Sequence, residues 1–328
     1  MRALTRRHPV ASLWTVAVLL EVALIGAFIA TGAAESVDRA LRETGIGFNT
    51  DLVTAVRVVV EAPYAAVGVG LALAQVAAPD LALLVVAGTA GLLAVRRRWR
   101  PWSREVGRRR GLRVWAVTLV VFAGMNVASA GLHWLTLRDA GFEYSPPTPS
   151  LSFAAAFLVA VFLDAGAVFE ESAWRGFALP LLQARHTPLV ASTILGVLWS
   201  AWHVPVKFDL VLLYGPGGAA ALFGVLTVKF VLLSVLMTHF CNRVGLSVPL
   251  AIAMHGLSND SVRLGGFVDT DVLGDVVLSE VNLVVPMAVV AAVLVWRTRG
   301  RLGLPPGPPA AVPAAGTGVR ATPSGAGR

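Results

Sequence analysis

Long apolar runs alternate with short polar or arginine-rich connectors along most of the 328 residues. A run of about 20 mainly apolar residues can cross the hydrocarbon core of a bilayer as a helix. The pattern therefore predicts an all-α polytopic membrane protein, a bundle of about 8–9 transmembrane helices by this length rule. The predicted spans lie at 11–33, 114–136, 153–180, 188–206, 218–238, 246–262 and 281–296.

The stretch between the first span and Arg96 does not divide cleanly. Residues 62–95 are short for two full spans and long for one, and they are broken at Pro79-Asp80. Arg57 and Glu61, four residues apart, are expected to pair at its entrance. An inside amino terminus requires an even number of spans before Arg96, whereas the break suggests three.

Charge gives the orientation of the later spans. Nine of the eighteen residues from Arg96 to Arg113 are arginine, which predicts a cytoplasmic loop by the positive-inside rule. An acidic loop then falls outside and a basic end falls inside. These two segments carry Asp269, Asp271, Asp275 and Glu280, and Arg297, Arg299 and Arg301, respectively.

Composition supports a membrane protein and excludes several other classes. The chain is 56% hydrophobic and 14% charged, with a mean hydropathy of +0.73. The net charge of +8 comes almost wholly from arginines at the ends of apolar runs, which favours anionic headgroups over nucleic acid as the partner. The single Cys241 excludes an internal disulfide and a multi-cysteine metal site. Abundant arginine, alanine and glycine with scarce lysine suggest a GC-rich bacterial genome, and so a multi-pass protein of the bacterial inner membrane.

The same patterns predict five regions, and no internal repeat is evident. They are an N-terminal transmembrane region ending in the basic loop (1–113), a connecting span and outer loop (114–149), a core (150–262), an acidic loop with the last span (263–299), and a disordered tail rich in Pro, Gly and Ala (300–328). The amino-terminal apolar run is too long for a typical signal peptide, which indicates a retained first span.

Two adjacent carboxylates, Glu170 and Glu171, lie towards the end of an apolar span, where an acidic side chain is costly. Arg175 is four residues beyond Glu171, so these two are expected to form a buried ion pair. Glu170 points about 100° away around the helix and is free to act as a general base. Asp164, seven residues before Glu171, is expected on the ion-pair face. The alternative is that all four charges only tie helices together.

Three other polar residues are predicted at membrane depth. His203 follows Trp199 by one turn, and His255 and Asn259 share one face of a later span. Intramembrane ionisable groups usually face a bundle interior or a wet cavity, so these residues are expected to converge with Glu170 in an intramembrane catalytic cavity.

Two chemistries fit this set of residues. In one, Glu170 and His203 hold and deprotonate a water while His255 and Asn259 donate to an oxyanion. In the other, Glu170, His203 and His255 are the three protein ligands of a catalytic zinc. The motifs H-E-x-x-H, G-x-S-x-G and G-x-G-D, which mark other hydrolases, do not occur in the sequence.

The order of these motifs resembles a known family. E-E-x-x-x-R at Glu170, aromatic-x-x-x-H at Trp199 and H-x-x-x-N at His255 are similar to the motifs of the CPBP (Abi) family. These are CAAX-protease and bacteriocin-processing intramembrane endopeptidases, and the resemblance covers about 150–262. It implies an intramembrane endopeptidase that cuts a membrane-associated protein or peptide near the cytoplasmic leaflet.

The resemblance also implies roles for individual residues. Glu170 would activate water, His203 would help to hold it, and His255 with Asn259 would form the oxyanion hole. Supporting roles fall to Glu171, Arg175 and Trp199, the last standing where the family commonly has phenylalanine. Members were first named metalloproteases, but the resemblance favours a glutamate mechanism without a cofactor, and zinc is the alternative.

The predicted site requires a particular length of the helix that carries Glu170. Glu170 can share a water with His203 only if its helix continues in the membrane to about Leu182, which we therefore predict. Two other functions remain open on the sequence: a non-catalytic scaffold or bacteriocin-immunity protein that binds a partner in the groove, and a transporter that uses the carboxylates and histidines as a proton relay. The sequence does not indicate the oligomeric state.

Overall fold

The computed structural model describes residues 7–46, 51–143, 150–259, 264, 266–268 and 271–304. Predictions for Asp269 and for 305–328 fall outside this part of the chain. The helices of the first part are α1 (Pro9–Ala30), α2 (Ala33–Thr44), α3 (Leu52–Glu61), α4 (Ala66–Val76), α5 (Ala78–Val86), α6 (Gly88–Arg98) and α7 (Arg108–Leu137). Those of the second part are α8 (Leu151–Leu163), α9 (Ala165–Ala173), α10 (Leu179–Gln183), α11 (Pro188–Trp202), α12 (Asp209–Arg243), α13 (Val248–Asn259) and α14 (Leu273–Thr298).

These helices confirm an all-α polytopic membrane protein. In the described residues four helices, α1, α7, α12 and α14, are long and apolar enough to cross a membrane, and a fifth span results if α4 and α5 are counted as one bent crossing. The sequence predicted about 8–9 transmembrane helices by the same length rule. The difference arises because several predicted spans are short or broken helices.

The bent crossing changes direction by 59° between Val76 and Ala78. The break is therefore at Ala77 and not at Pro79-Asp80. Pro79 lies in the first turn of α5, where its missing N–H removes no helical hydrogen bond. The expected pair at the entrance of this region is confirmed, with Arg57 Nη2 3.4 Å from Glu61 Oε1.

The predicted span 153–180 is broken at Asp164. The backbone of Asp164 is extended (φ −58°, ψ 125°), and its Oδ1 accepts the Ala167 N–H at 2.7 Å. An aspartate that caps a helix in this way ends α8 and begins α9. Asp164 therefore caps the helix that carries Glu171, and its expected place on the Glu171–Arg175 face stays a prediction.

Helical structure then continues without a break through the carboxylates. A turn of π-helix, Trp174–Ala178, joins α9 to α10, and the Leu179 N–H bonds to Trp174 O, five residues back. Such π-turns are rare and are frequent at functional sites. Since α10 ends at Gln183, the predicted helical continuation to about Leu182 is confirmed, and its depth in the membrane stays a prediction.

Two predicted boundaries in the second half of the chain also shift. Helix α12 kinks at Gly215 (φ 69°), just before Pro216, so the straight part of this span starts near the predicted residue 218. Glu280 was predicted in the outer loop but lies within α14, where it accepts from Lys229 of α12 at 2.8 Å. Lys229, in the middle of the predicted span 218–238, thus has an acidic partner on another helix.

The core is built around α9 and the helices that contact it. Helix α9 packs on α4, α5 and α13, while α12 packs on α11 and α14. The largest fully buried side chains of the core are Trp174, Trp199 and Trp202. A two-stranded antiparallel pair, β1 (Phe142–Glu143) and β2 (Phe267–Val268), joins the segments that follow α7 and α13.

The start of the predicted disordered tail is packed against this core. Leu302 is fully buried, and its carbonyl accepts from Asn242 Nδ2 of α12 at 2.9 Å. The described residues 300–304 therefore do not belong to a disordered tail.

Candidate active site

Glu171 is the centre of a buried charge cluster on α9. Arg175 Nη1 lies 2.9 Å from Glu171 Oε1, and both side chains are almost fully buried. The expected ion pair is therefore confirmed. His255 Nδ1, from α13, lies 2.9 Å from the same Oε1 atom, so one carboxylate oxygen joins two helices.

Glu170 is held by two indoles. Trp199 Nε1 donates to Glu170 Oε2 at 2.7 Å, and Trp174 Nε1 donates to the same oxygen at 3.3 Å. The Trp199 ring also lies under the Arg175 guanidinium, at 4.0 Å from its centroid, and 4.9 Å from the His255 ring centroid. Trp199 was given a supporting role from the resemblance, and the structure shows that its indole N–H is a donor that phenylalanine would lack.

The other oxygen of Glu170 faces a gap above Gly166. A Cβ atom at this glycine would lie 3.2 Å from Glu170 Oε1 and 3.4 Å from Asn259 Nδ2. Asn259 Nδ2 itself donates to Asp164 Oδ1 at 3.1 Å. The side chains of Glu170 and Asn259, from different helices, thus approach the same side of Gly166. This side is open because glycine has no side chain. Sequence reasoning missed Gly166, although its position four residues before Glu170 was a usable signal.

His203 lies at the end of α11 and is partly exposed. Its Nδ1 is 2.9 Å from the Trp199 carbonyl, so Nδ1 carries the proton of this hydrogen bond and Nε2 is left to make other contacts. Its ring packs against Phe230 and Trp202, with centroids 4.4 and 4.6 Å away. Within the described residues no hydrogen bond joins His203 to Glu170. The shared water stays a prediction.

Residues that precede position 100 in the chain hydrogen-bond to Ser172 and to the backbone of α9 and the π-turn, next to the two glutamates. Asp80 Oδ1 of α5 accepts the Ala173 N–H at 2.8 Å. Trp99 Nε1 donates to Ser172 Oγ at 3.1 Å, and Arg98 Nη1 of α6 donates to Gly176 O at 2.8 Å. Sequence reasoning missed all three contacts, and they give the region before residue 100 a role in positioning α9.

A cavity of about 450 Å³ lies between these elements and α9. Its walls are mainly apolar, with Asp80, Arg96 and Trp99 among the lining residues, and it reaches α9 at Phe169 and Ser172. The cavity is thus adjacent to the helix that carries the two glutamates.

A catalytic zinc would need three side-chain ligands that converge on one point. The described residues contain no group of three His, Cys, Asp or Glu side chains placed to hold a metal ion. Glu170, His203 and His255, the three zinc ligands considered from the sequence, each have the hydrogen-bond partners given above. They are not assembled as a zinc site in this arrangement.

Two comparisons with known proteins match the part of the chain that carries this geometry. A sequence model described as type II CAAX prenyl endopeptidase Rce1-like matches residues 149–261. CAAX prenyl protease 2 from Methanococcus maripaludis is 33% identical over 111 residues. This alignment covers 33% of the present chain and 41% of that protein, so the chain spans less than half the length of this curated relative.

Proposed function

We propose that this protein is an intramembrane endopeptidase, because residues 149–261 match the Rce1-like CAAX prenyl endopeptidase model. It hydrolyses a peptide bond of a membrane-associated protein or peptide in the lipid bilayer, using water activated by Glu170. The observation that carries the proposal is the approach of Glu170 and Asn259 to Gly166 within this segment, beside the buried Glu171 that binds His255 and Arg175.

Glu170 is the general base of the proposed reaction. Its Oε2 is fixed by two indole N–H groups, and its Oε1 faces the gap above Gly166. A water in this gap gives a proton to Glu170 as its oxygen bonds to the substrate carbonyl carbon. His203 Nε2 is proposed to hold the same water from the end of α11.

The negative charge that forms on the carbonyl oxygen is met by His255 and Asn259. Fixed donors that face a developing oxyanion are a large part of catalysis in acyl transfer. For His255 to donate through Nε2, both ring nitrogens must carry protons, with Nδ1–H bonded to Glu171. Glu170 then returns its proton to the amide nitrogen as the C–N bond breaks, releasing an amine and a carboxylic acid.

The substrate class is proposed from the family. The relative's name includes CAAX prenyl protease, and a bundle embedded in the bilayer suits a substrate anchored by lipid. The arginine and lysine usage suggests a bacterial inner membrane, where peptide maturation without a prenyl group is the competing role. Both substrate types are therefore included in the test.

The test uses the purified full-length chain in proteoliposomes with two fluorogenic peptides, one farnesylated at a CAAX cysteine and one carrying a single apolar anchor helix. Glu170→Gln is expected to lower kcat about 10²–10⁴-fold, the usual contribution of a general base. Glu280→Gln is the matched control, because this carboxylate is also partly buried in a span but is paired with Lys229. A chelator such as 1,10-phenanthroline is expected to leave cleavage unchanged.

Each other outcome contradicts a defined part of the proposal. Normal cleavage by Glu170→Gln removes Glu170 as the base. Loss of cleavage under chelation, restored by added zinc, replaces the glutamate mechanism with a metal-dependent one. If the wild-type chain cuts neither peptide, the endopeptidase proposal fails for these substrate classes and the scaffold or immunity function is favoured.

A further inference from the structure

Helix α1 faces the protein along one narrow stripe. Leu13, Ala17 and Glu21 are each fully buried, and their spacing of four residues places them on one face. Leu19 and Val22, on other faces, are 64% and 52% exposed and face the surface where lipid would lie. The third position of the buried stripe is therefore a carboxylate that points into the protein.

The position of Glu21 is the most costly one for an acidic side chain. It is the thirteenth residue of a 22-residue helix, about 18 Å from the start at 1.5 Å per residue. This is near the middle of a hydrocarbon core about 30 Å thick. Both carboxylate oxygens are buried, and neither has a hydrogen-bond partner among the described residues. An isolated ionised carboxylate at this depth needs a partner.

The helix is docked beside the candidate active site. Trp14 Nε1 donates to Leu198 O at 2.8 Å, and Leu198 precedes the Trp199 that donates to Glu170. Helix α1 also contacts the π-turn that follows Glu170 and Glu171. The docking of α1 thus brings Glu21 into the electrostatic surroundings of Glu170.

The charges around Glu170 limit how far Glu21 and Glu170 can both be ionised. Glu171 and Asp164 are further acidic neighbours of Glu170, and His255 is a basic one. Two carboxylates close together in an apolar site cannot both ionise at low cost, and they commonly share one proton. Sharing a proton would also give a hydrogen bond to one of the two Glu21 oxygens, which otherwise have no partner among the described residues.

We propose that Glu21 is a positioning residue for the hydrolytic reaction: its carboxyl group and that of Glu170 hold one proton between them through a bridging water. This inference rests on the proposed function. The pair then carries one negative charge, which stays on the Glu170 side and accepts the proton of the attacking water. Glu21 keeps its own proton throughout, so the balance of the hydrolysis is unchanged. The region before residue 149 thereby supplies a group to the site.

The experiment measures kcat and KM of the full-length chain in proteoliposomes on whichever of the two peptides is cut. Glu21→Leu removes the proton donor and is expected to lower kcat about 10-fold or more with KM little changed, because the base is no longer held in place. Glu21→Gln keeps an N–H donor and is expected to recover most of this loss. Ser12→Ala, a buried polar residue nine positions earlier on the same helix, is the control.

The melting temperature distinguishes a positioning role of Glu21 from a purely structural one. Replacing a buried unpaired carboxyl by leucine is expected to keep or raise the melting temperature, so a fall in kcat cannot be ascribed to unfolding. If Glu21→Leu does not fold, the comparison of Glu21→Gln with Glu21→Met decides instead. Wild-type kcat in Glu21→Leu or Glu21→Met, while Glu170→Gln is inactive, overturns this inference alone. Normal cleavage by Glu170→Gln overturns the proposed function itself.

Discussion

The two sides of the carboxylate helix are held in different ways. On one side, Glu171 binds Arg175 and His255 through charged groups, all within the segment that matches the endopeptidase family. On the other side, Asp80 and Trp99 bind the Ala173 N–H and Ser172 Oγ, and both lie outside that segment. The proposed chemical groups and the side chains that support their backbone therefore come from different parts of the chain.

The largest effect is expected on the charged side. Arg175→Met leaves the Glu171 carboxylate buried without its cation, which is expected to destabilise the protein by about 3–5 kcal/mol. Loss of peptide cleavage should accompany this change. The measurement is unfolding of the purified protein in detergent, with Arg57→Met as the control, because Arg57 is in an exposed pair. Equal stability of the two variants would show that the buried pair does not hold α9.

The next effect tests the supporting side. Asp80→Ala removes the carboxylate that accepts from the N–H of the fully buried Ala173, which is expected to cost about 1.5–3 kcal/mol for a hydrogen bond to a charged group. Asp80→Asn keeps an acceptor oxygen and is expected to lose less. The same unfolding measurement applies, and equal losses in the two variants would mean that the charge of Asp80, not the hydrogen bond, is what matters.

A smaller effect is expected at the gap in the site. Gly166→Ala places a Cβ atom 3.2 Å from Glu170 Oε1 and 3.4 Å from Asn259 Nδ2. It is expected to lower kcat/KM about 10-fold, since small displacements of reacting groups are costly. The melting temperature should change little, because alanine favours the helix. Gly224→Ala, at a helical glycine with open space around it, is the control in the same cleavage assay. Unchanged kinetics would place the reaction elsewhere.

The smallest effect is expected for the bond between Trp99 and Ser172. Trp99→Phe removes one N–H donor from a partly buried contact, which is expected to cost about 0.5–1.5 kcal/mol. Ser172→Ala removes the acceptor, and the double variant should cost little more than either single one. Full additivity in this cycle would show that the two side chains do not interact.

The sequence predicted those parts of the site that depend on local helical geometry. Glu171 and Arg175 pair because four residues bring two side chains onto one helix face, whatever the rest of the fold. Likewise the all-α membrane architecture followed from the length of the apolar runs. These predictions needed no knowledge of which helices are neighbours.

The remaining contacts depend on packing between distant segments. Trp199 is 29 residues from the Glu170 that it binds, and Asp80 is 93 residues from Ala173. No periodicity links such positions, so Asp80 was interpreted only as part of a break in a span. The break at Asp164 was missed for a related reason: hydropathy cannot distinguish a continuous apolar helix from two helices joined at a capping residue.

The length of α11 has a consequence for the membrane around the protein. Its 15 residues extend about 22 Å, roughly 8 Å less than the hydrocarbon core of a typical bilayer. Val190 and Val197 on this helix are each 45% exposed, so lipid meets a helix that is too short for it. Hydrophobic mismatch of this sign is relieved by thinning of the adjacent leaflets. We expect such thinning to bring headgroups and the water they carry towards His203, which would shorten the path by which a polar peptide segment leaves the aqueous phase.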